Sequence, residues 1–144
     1  MIKRNLLIGC ALLSACAASI APASADPGRG TTVLCYLFAS IPSPTIGAPY
    51  EPNILYSYNA QNRAKGNSVT KTGTGSYTVT CTGVGGGTAW GAGGHVQVTA
   101  VGSTSTFCKV VDWSTGAANF TAHVNCYGIN FVPEDSAFDL LFLW

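Results

Sequence analysis

The chain has 144 residues, of which only 9% are charged, and its formal net charge is +1. No stripe of basic residues is present, so we expect no nucleic-acid partner, because that affinity comes mainly from clustered Lys and Arg. The length suffices for one domain with a single hydrophobic core.

The first 25 residues have the three parts of a secretory signal peptide. Lys3 and Arg4 give a positive start, residues 6–13 are almost entirely apolar, and residues 23–25 read Ala-Ser-Ala, a small-x-small cleavage site. The apolar stretch is shorter than the roughly 20 residues needed to span a bilayer. We therefore predict a signal peptide over residues 1–25, removed before Asp26, and secretion to the periplasm or the exterior.

A second interpretation of the leader stays open. Residues 13–16 read Leu-Ser-Ala-Cys, which is similar to a bacterial lipobox. In that case Cys16 would be lipidated and would become the first mature residue, and the protein would be anchored to the cell envelope. Residues 17–30 would then form a small, flexible tether rich in Ala, Ser, Pro and Gly.

The predicted mature domain, residues 26–144, keeps 119 of the 144 residues, with five basic and six acidic side chains and a net charge of about −1. Its four cysteines are Cys35, Cys81, Cys108 and Cys126. An even set in a small exported domain indicates disulfides, and no pair has the close spacing of a zinc motif. Three connectivities are possible; the placement of Cys108 and Cys126 on the two arms of one predicted hairpin favours pairing them, which leaves Cys35 with Cys81.

The mature sequence alternates short runs rich in Val, Thr, Tyr and Phe with Gly, Pro and Asn turns, and no helical periodicity is present. Eight strands are predicted, at residues 32–41, 54–58, 68–72, 76–82, 95–101, 106–113, 119–127 and 137–144. Four prolines make residues 42–53 an extended loop, and seven glycines make residues 83–94 another. The pattern predicts an all-β fold, an antiparallel β-sandwich of the jelly-roll or immunoglobulin-like kind.

Several phrases of the mature chain occur together in a recognisable order. They read Gly-Thr-Gly-Ser-Tyr-Thr-Val at 73–79, Val-Gln-Val-Thr-Ala at 96–100, Cys-Lys-Val-Val-Asp-Trp at 108–113 and Val-Asn-Cys at 124–126. This order resembles a group of uncharacterised exported bacterial β-sandwich proteins, over nearly the whole mature chain. The resemblance implies the fold and a bacterial origin, and no activity. The chain departs from the group's pattern at Cys35 and Cys81.

Catalytic and metal-binding signals are weak. His95 and His123 are expected at exposed positions on strands, and a metal site would need a third ligand such as Asp112. A small exported hydrolase using His123 and Asp112 remains the alternative function, although no Gly-x-Ser-x-Gly elbow is present. We predict no cofactor and no metal.

The main prediction is a non-catalytic extracellular binding or structural module. The two irregular loops would supply contacts to a protein or carbohydrate ligand, with Trp90 and Tyr50 as the candidate anchors. No segment of the mature chain is predicted to span a membrane as a helix.

Overall fold

The computed structural model describes residues 33–61, 66–85, 94–116 and 118–143. Within these ranges the chain forms nine strands and one short 3-10 turn, Ile54–Tyr56. The strands are β1 Val33–Ala39, β2 Pro49–Tyr50, β3 Ser57–Asn59, β4 Asn67–Gly73, β5 Ser76–Thr82, β6 His95–Val101, β7 Phe107–Thr115, β8 Asn119–Tyr127 and β9 Ala137–Leu143.

The strands form two antiparallel sheets, which confirms the all-β, disulfide-linked fold class at the level of an antiparallel sandwich. The four-stranded sheet has the order β3–β1–β9–β6, and the five-stranded sheet has the order β2–β4–β5–β8–β7. Strand β9 is central to its sheet, since it pairs with β1 on one side and with β6 on the other.

The core fills the space between the sheets with the inward half of each alternating strand. In β5 the buried side chains are Tyr77, Val79 and Cys81, while the threonines between them face outward. From β9, Phe142 stacks on Phe120 of β8 with the ring centroids 4.2 Å apart. These contacts bury large aromatic surface and are the main source of the fold's stability.

Two disulfides bind the sandwich together and confirm the favoured connectivity. Cys35–Cys81 joins β1 of the four-stranded sheet to β5 of the five-stranded sheet, across 46 residues of sequence. Cys108–Cys126 joins the paired strands β7 and β8, across 18 residues. One bridge therefore links the two layers, and the other fastens an edge strand to its neighbour.

Two local predictions need correction. Residues 54–58 do not form one strand, because the Asn53 side chain accepts a hydrogen bond from the Leu55 amide and starts a 3-10 turn, so extended backbone begins only at Ser57. The proline-rich loop 42–53 is not wholly irregular either, because Pro49 and Tyr50 pair with β4. Proline is tolerated there because β2 is an edge strand.

Two buried asparagines connect β3 to β4 at one side of the sandwich. Asn59 donates to the Oδ1 of Asn67 (3.1 Å) and to the Thr82 carbonyl (3.0 Å). Asn67 in turn donates to the carbonyls of Tyr36 and Tyr58. Buried amides of this kind are costly unless paired, so this network fixes the position of β3 at the edge of the four-stranded sheet.

Candidate ligand-binding groove

The outer faces of the two sheets differ in chemistry. The outer face of the five-stranded sheet is polar over β4, β5 and most of β8, with serine, threonine, asparagine and histidine side chains at Ser68, Thr70, Ser76, Thr78, Thr80, Thr121, His123 and Asn125. At its β7–β8 end this face also carries the rings of Phe107 and Tyr127, stacked with centroids 5.5 Å apart. The outer face of the four-stranded sheet is largely aromatic and aliphatic, with Tyr36, Phe38, Tyr58, Val101 and Leu141. An apolar face spread over three strands of one sheet needs a reason, since single exposed apolar residues are common but contiguous patches mark contact sites.

A groove of about 400 Å³ runs over this apolar face. Its walls are the rings of three aromatic residues, two aliphatic side chains and one carboxylate: Tyr36, Phe38, Tyr56, Leu55, Val101 and Asp139. A second hollow of about 300 Å³ adjoins it and includes Gln97 and Thr99 of β6. Tyr36 and Asp139 border both hollows, so these two residues stand at the centre of the surface.

The strand register explains why these side chains meet. Phe38 of β1 is directly opposite Asp139 of β9, which is directly opposite Thr99 of β6. Side chains directly opposite each other on one face have Cβ atoms roughly 5 Å apart. The groove therefore follows from the pairing of three strands rather than from any local segment.

The 3-10 turn supplies the remaining wall. Leu55 and Tyr56 are 78% and 58% exposed, and Tyr56 packs edge-on against Phe38 with ring centroids 6.4 Å apart. Tyr36 stacks on Tyr58 of the neighbouring strand at 6.0 Å. Because these rings pack against one another, the aromatic wall of the groove is already formed in the absence of a ligand.

Asp139 is the only charged residue among the groove's described lining. Its carboxylate makes no hydrogen bond or ion pair with any residue in the described ranges. Partial burial against the surrounding rings raises the pKa of Asp139 above its usual value, because desolvation disfavours the charged form. A carboxylate left without a partner among apolar side chains is a candidate for ligand recognition.

The predicted alternative catalytic pair also comes together. The His123 Nδ1 lies 2.6 Å from the Asp112 Oδ1 on the polar outer face, because a register shift between Val110 and Asp112 places Asp112 opposite His123. Both side chains are more than half exposed. Thr78 lies directly opposite His123 on the neighbouring strand, but no hydroxyl of the described residues hydrogen-bonds the other imidazole nitrogen, so the pair has a base and an orienting acid without a hydrogen-bonded nucleophile.

A third polar cluster lies inside the sandwich near the proline-rich loop. The Lys71 ammonium, 8% exposed, pairs with the Asp135 carboxylate and donates to the Ser43 hydroxyl at 3.0 Å. Tyr77 donates to the Pro42 carbonyl at 2.6 Å. Burial together with the nearby Asp135 charge raises the pKa of Tyr77 to about 12. Because these contacts join Ser43 and Pro42 of the loop to β4 and β5, we interpret this cluster as a clamp on the loop.

The residues singled out from the sequence have different outcomes. Trp90 lies outside the described residues. Tyr50 is half-buried against the core, and its hydroxyl is enclosed and makes no well-formed hydrogen bond. Burial raises the pKa of Tyr50, although the Ile41 backbone partly opposes that change. Its role as a ligand anchor remains a prediction.

Sequence reasoning missed the groove. Tyr36 and Phe38 alternate with the buried Cys35 and Leu37, and this period of two could have assigned them to an outer face. The sequence instead pointed to the two irregular loops for ligand contacts, and no binding role was predicted for this strand. Asp139, one charge inside an otherwise apolar final strand, was the other available signal.

The chain matches no family model, no curated protein and no solved structure with which it was compared. In the described ranges, no three His, Cys, Asp or Glu residues are grouped as metal ligands would be. In these described ranges, no helix is long and apolar enough to cross a bilayer.

Proposed function

We propose that this protein is an exported binding module that takes its ligand in the groove around Tyr36 and Asp139. The observation that carries the proposal is a groove in which mutually packed aromatic rings lie beside the Asp139 carboxylate, which has no partner among the described residues. Preformed concave sites with mostly apolar walls and few polar groups are typical of ligand recognition. The leader sequence and the two disulfides support secretion, because disulfides persist in oxidising compartments.

Amide chemical shifts of the isotope-labelled mature protein test the groove directly. The probes are a methyl glycoside for carbohydrate, p-cresol for an aromatic protein side chain and tetramethylammonium for an organic cation. At least one probe should shift the amides of Tyr36, Phe38 and Asp139, and Tyr56→Ser should weaken that response. Thr80→Ala, on the polar face, is the matched control and should leave it unchanged. Shifts confined to the polar face, or none at all, would contradict the proposal.

The 2.6 Å contact between His123 and Asp112 favours a second candidate, a small exported hydrolase. Turnover of p-nitrophenyl acetate that disappears in His123→Ala and persists in Tyr56→Ser would support it. A binding module predicts the opposite pattern, with groove binding retained in His123→Ala. We prefer the binding module because no hydroxyl of the described residues is hydrogen-bonded to the His123 imidazole.

The mature N-terminus separates secretion from lipid anchoring. Cleavage by signal peptidase before Asp26 gives a free module, whereas lipidation at Cys16 gives an envelope-anchored one. Intact-mass analysis of the exported protein distinguishes the two, because a lipidated chain retains residues 16–25 and gains acyl groups. We expect the mass of residues 26–144 with two disulfides.

A further inference from the structure

The groove combines features that favour a positively charged ligand over an uncharged polar one. Three aromatic rings, of Tyr36, Phe38 and Tyr56, line the same groove as one carboxylate, and the face of an aromatic ring attracts cations. Among the described residues, the larger hollow is lined by no side-chain amide or aliphatic hydroxyl. A sugar would find the two tyrosine hydroxyls and the carboxylate there, and the amide and hydroxyl of Gln97 and Thr99 only in the adjoining hollow, whereas a quaternary ammonium ion needs no hydrogen-bond partner.

The described basic side chains leave the Asp139 carboxylate unneutralised. Lys71 is paired with Asp135 inside the sandwich, and Lys109 lies over the Tyr127 ring on the other sheet. His95 shares the outer face of β6 but is four residues from Thr99, or roughly 13 Å along the strand. The negative charge is therefore available to an incoming ligand.

We propose that the groove binds the head group of a small organic cation of the quaternary-ammonium class, of which choline is the simplest natural example. This inference rests on the proposed function, since it names the ligand class of the same groove. A quaternary ammonium cannot donate hydrogen bonds, so its methyl groups contact ring faces and its charge is balanced by a nearby carboxylate. The groove volume of about 400 Å³ is within the range of small-molecule sites.

Choline and its uncharged isostere 3,3-dimethylbutan-1-ol test the inference, because they have nearly the same shape and differ in charge. Titration of the mature protein, followed by the amide shifts of Tyr36 and Asp139, should give a dissociation constant for choline about fivefold or more lower than that for the isostere. Asp139→Asn should weaken choline binding about tenfold. Tyr56→Leu, which keeps an apolar side chain but removes the ring, should weaken it about threefold.

Asp112→Asn is the matched control for charge. It removes one negative charge from a strand of the other sheet, so choline affinity should stay within about twofold of the unaltered protein. Thermal unfolding of Asp139→Asn should show an unchanged or higher midpoint, which excludes loss of fold as the cause of weaker binding.

The outcomes separate this inference from the proposed function. Equal affinity for choline and its isostere, or undiminished choline binding by Asp139→Asn, would overturn the cation inference. If the isostere or the methyl glycoside shifts the groove amides and choline does not, the groove is a binding site but the cation inference is wrong. If no probe shifts those amides, both proposals are wrong.

Discussion

Asp135 shows how one residue can connect three parts of the fold. Its Oδ1 accepts a hydrogen bond from the Gly75 amide at 2.7 Å, and its other oxygen pairs with Lys71, which also holds Ser43 of the proline-rich loop. Burial alone would raise the pKa of Asp135, but the hydrogen bonds from Gly75, Lys71 and Ser43, together with the Lys71 charge, outweigh it and lower that pKa. The ionised form is therefore favoured in the folded state.

This lowered pKa predicts a specific acid response. The contribution of ionised Asp135 to stability is present above the usual aspartate pKa, and it is lost as the pH falls through the lowered pKa of the folded state. Asp135→Asn should reduce the free energy of unfolding at pH 7 by about 2 kcal/mol, because Lys71 is left buried without its partner. When denaturant unfolding is measured between pH 2 and 7, the Asp135→Asn variant should also lose less stability in acid than the unaltered protein does.

Asp139→Asn is the control of opposite sign. Since the pKa of Asp139 is raised on folding, its charged form destabilises the folded state above that pKa, and removing the charge should not lower stability at pH 7. Parallel behaviour of the two variants would contradict the assignment of Asp135 as a clamp and Asp139 as a ligand-facing group.

The β4–β5 hairpin shows how one element depends on a close backbone approach. Gly75 has a φ of 64° in the turn, and a Cβ there would stand 2.5 Å from the Cys126 carbonyl and 2.8 Å from the Glu134 amide nitrogen. The Gly75 carbonyl also accepts the Cys126 amide at 2.7 Å. The hairpin can pack against the end of β8 only if this position has no side chain.

Gly75→Ala should therefore lower the free energy of unfolding by more than about 2 kcal/mol, because left-handed strain and a backbone clash add together. Gly47 is the matched control, since its φ is 77° and a Cβ at that position would have no atom within 4 Å. Gly47→Ala should cost about 1 kcal/mol from strain alone. Chemical denaturation of the two variants measures the difference, and equal losses would show that the clash is relieved by a small shift.

At the scale of the whole molecule, the two disulfides constrain loops of different length. In the chain-entropy relation, closing 46 residues stabilises by about 4 kcal/mol and closing 18 by about 3 kcal/mol. The paired substitution Cys35→Ala with Cys81→Ala should thus destabilise more than Cys108→Ala with Cys126→Ala. Cys35 and Cys81 are also both fully buried, which adds a cavity cost.

Guanidinium unfolding followed by circular dichroism checks this order, with the single-bridge variants compared under identical conditions. A larger loss on removing Cys108–Cys126 would contradict it and would indicate that the edge strand β7 limits the stability of the sandwich. Because each variant removes both cysteines of a bridge, neither result is confused by a free thiol.

The sequence predicted the parts of this fold that are locally encoded. The alternation in 76–82, 95–101 and 119–127 matches β5, β6 and β8 in bounds, and the hairpin placement of Cys108 and Cys126 selected the correct pairing. The groove could not be predicted in the same way. It needs Asp139 opposite Phe38 and the 3-10 turn beside them, and both depend on pairings between residues about 100 positions apart or on a side-chain cap.

The central position of β9 has a consequence for the order of assembly. Strands β1 and β6 have no direct pairing, and only β9 joins them. Before β9 is in place, β6 has no partner strand in this sheet and β1 pairs only with β3. The four-stranded sheet therefore closes only when residues 137–143 join strands formed by residues about 40 to 100 positions earlier, which makes its assembly non-local in sequence.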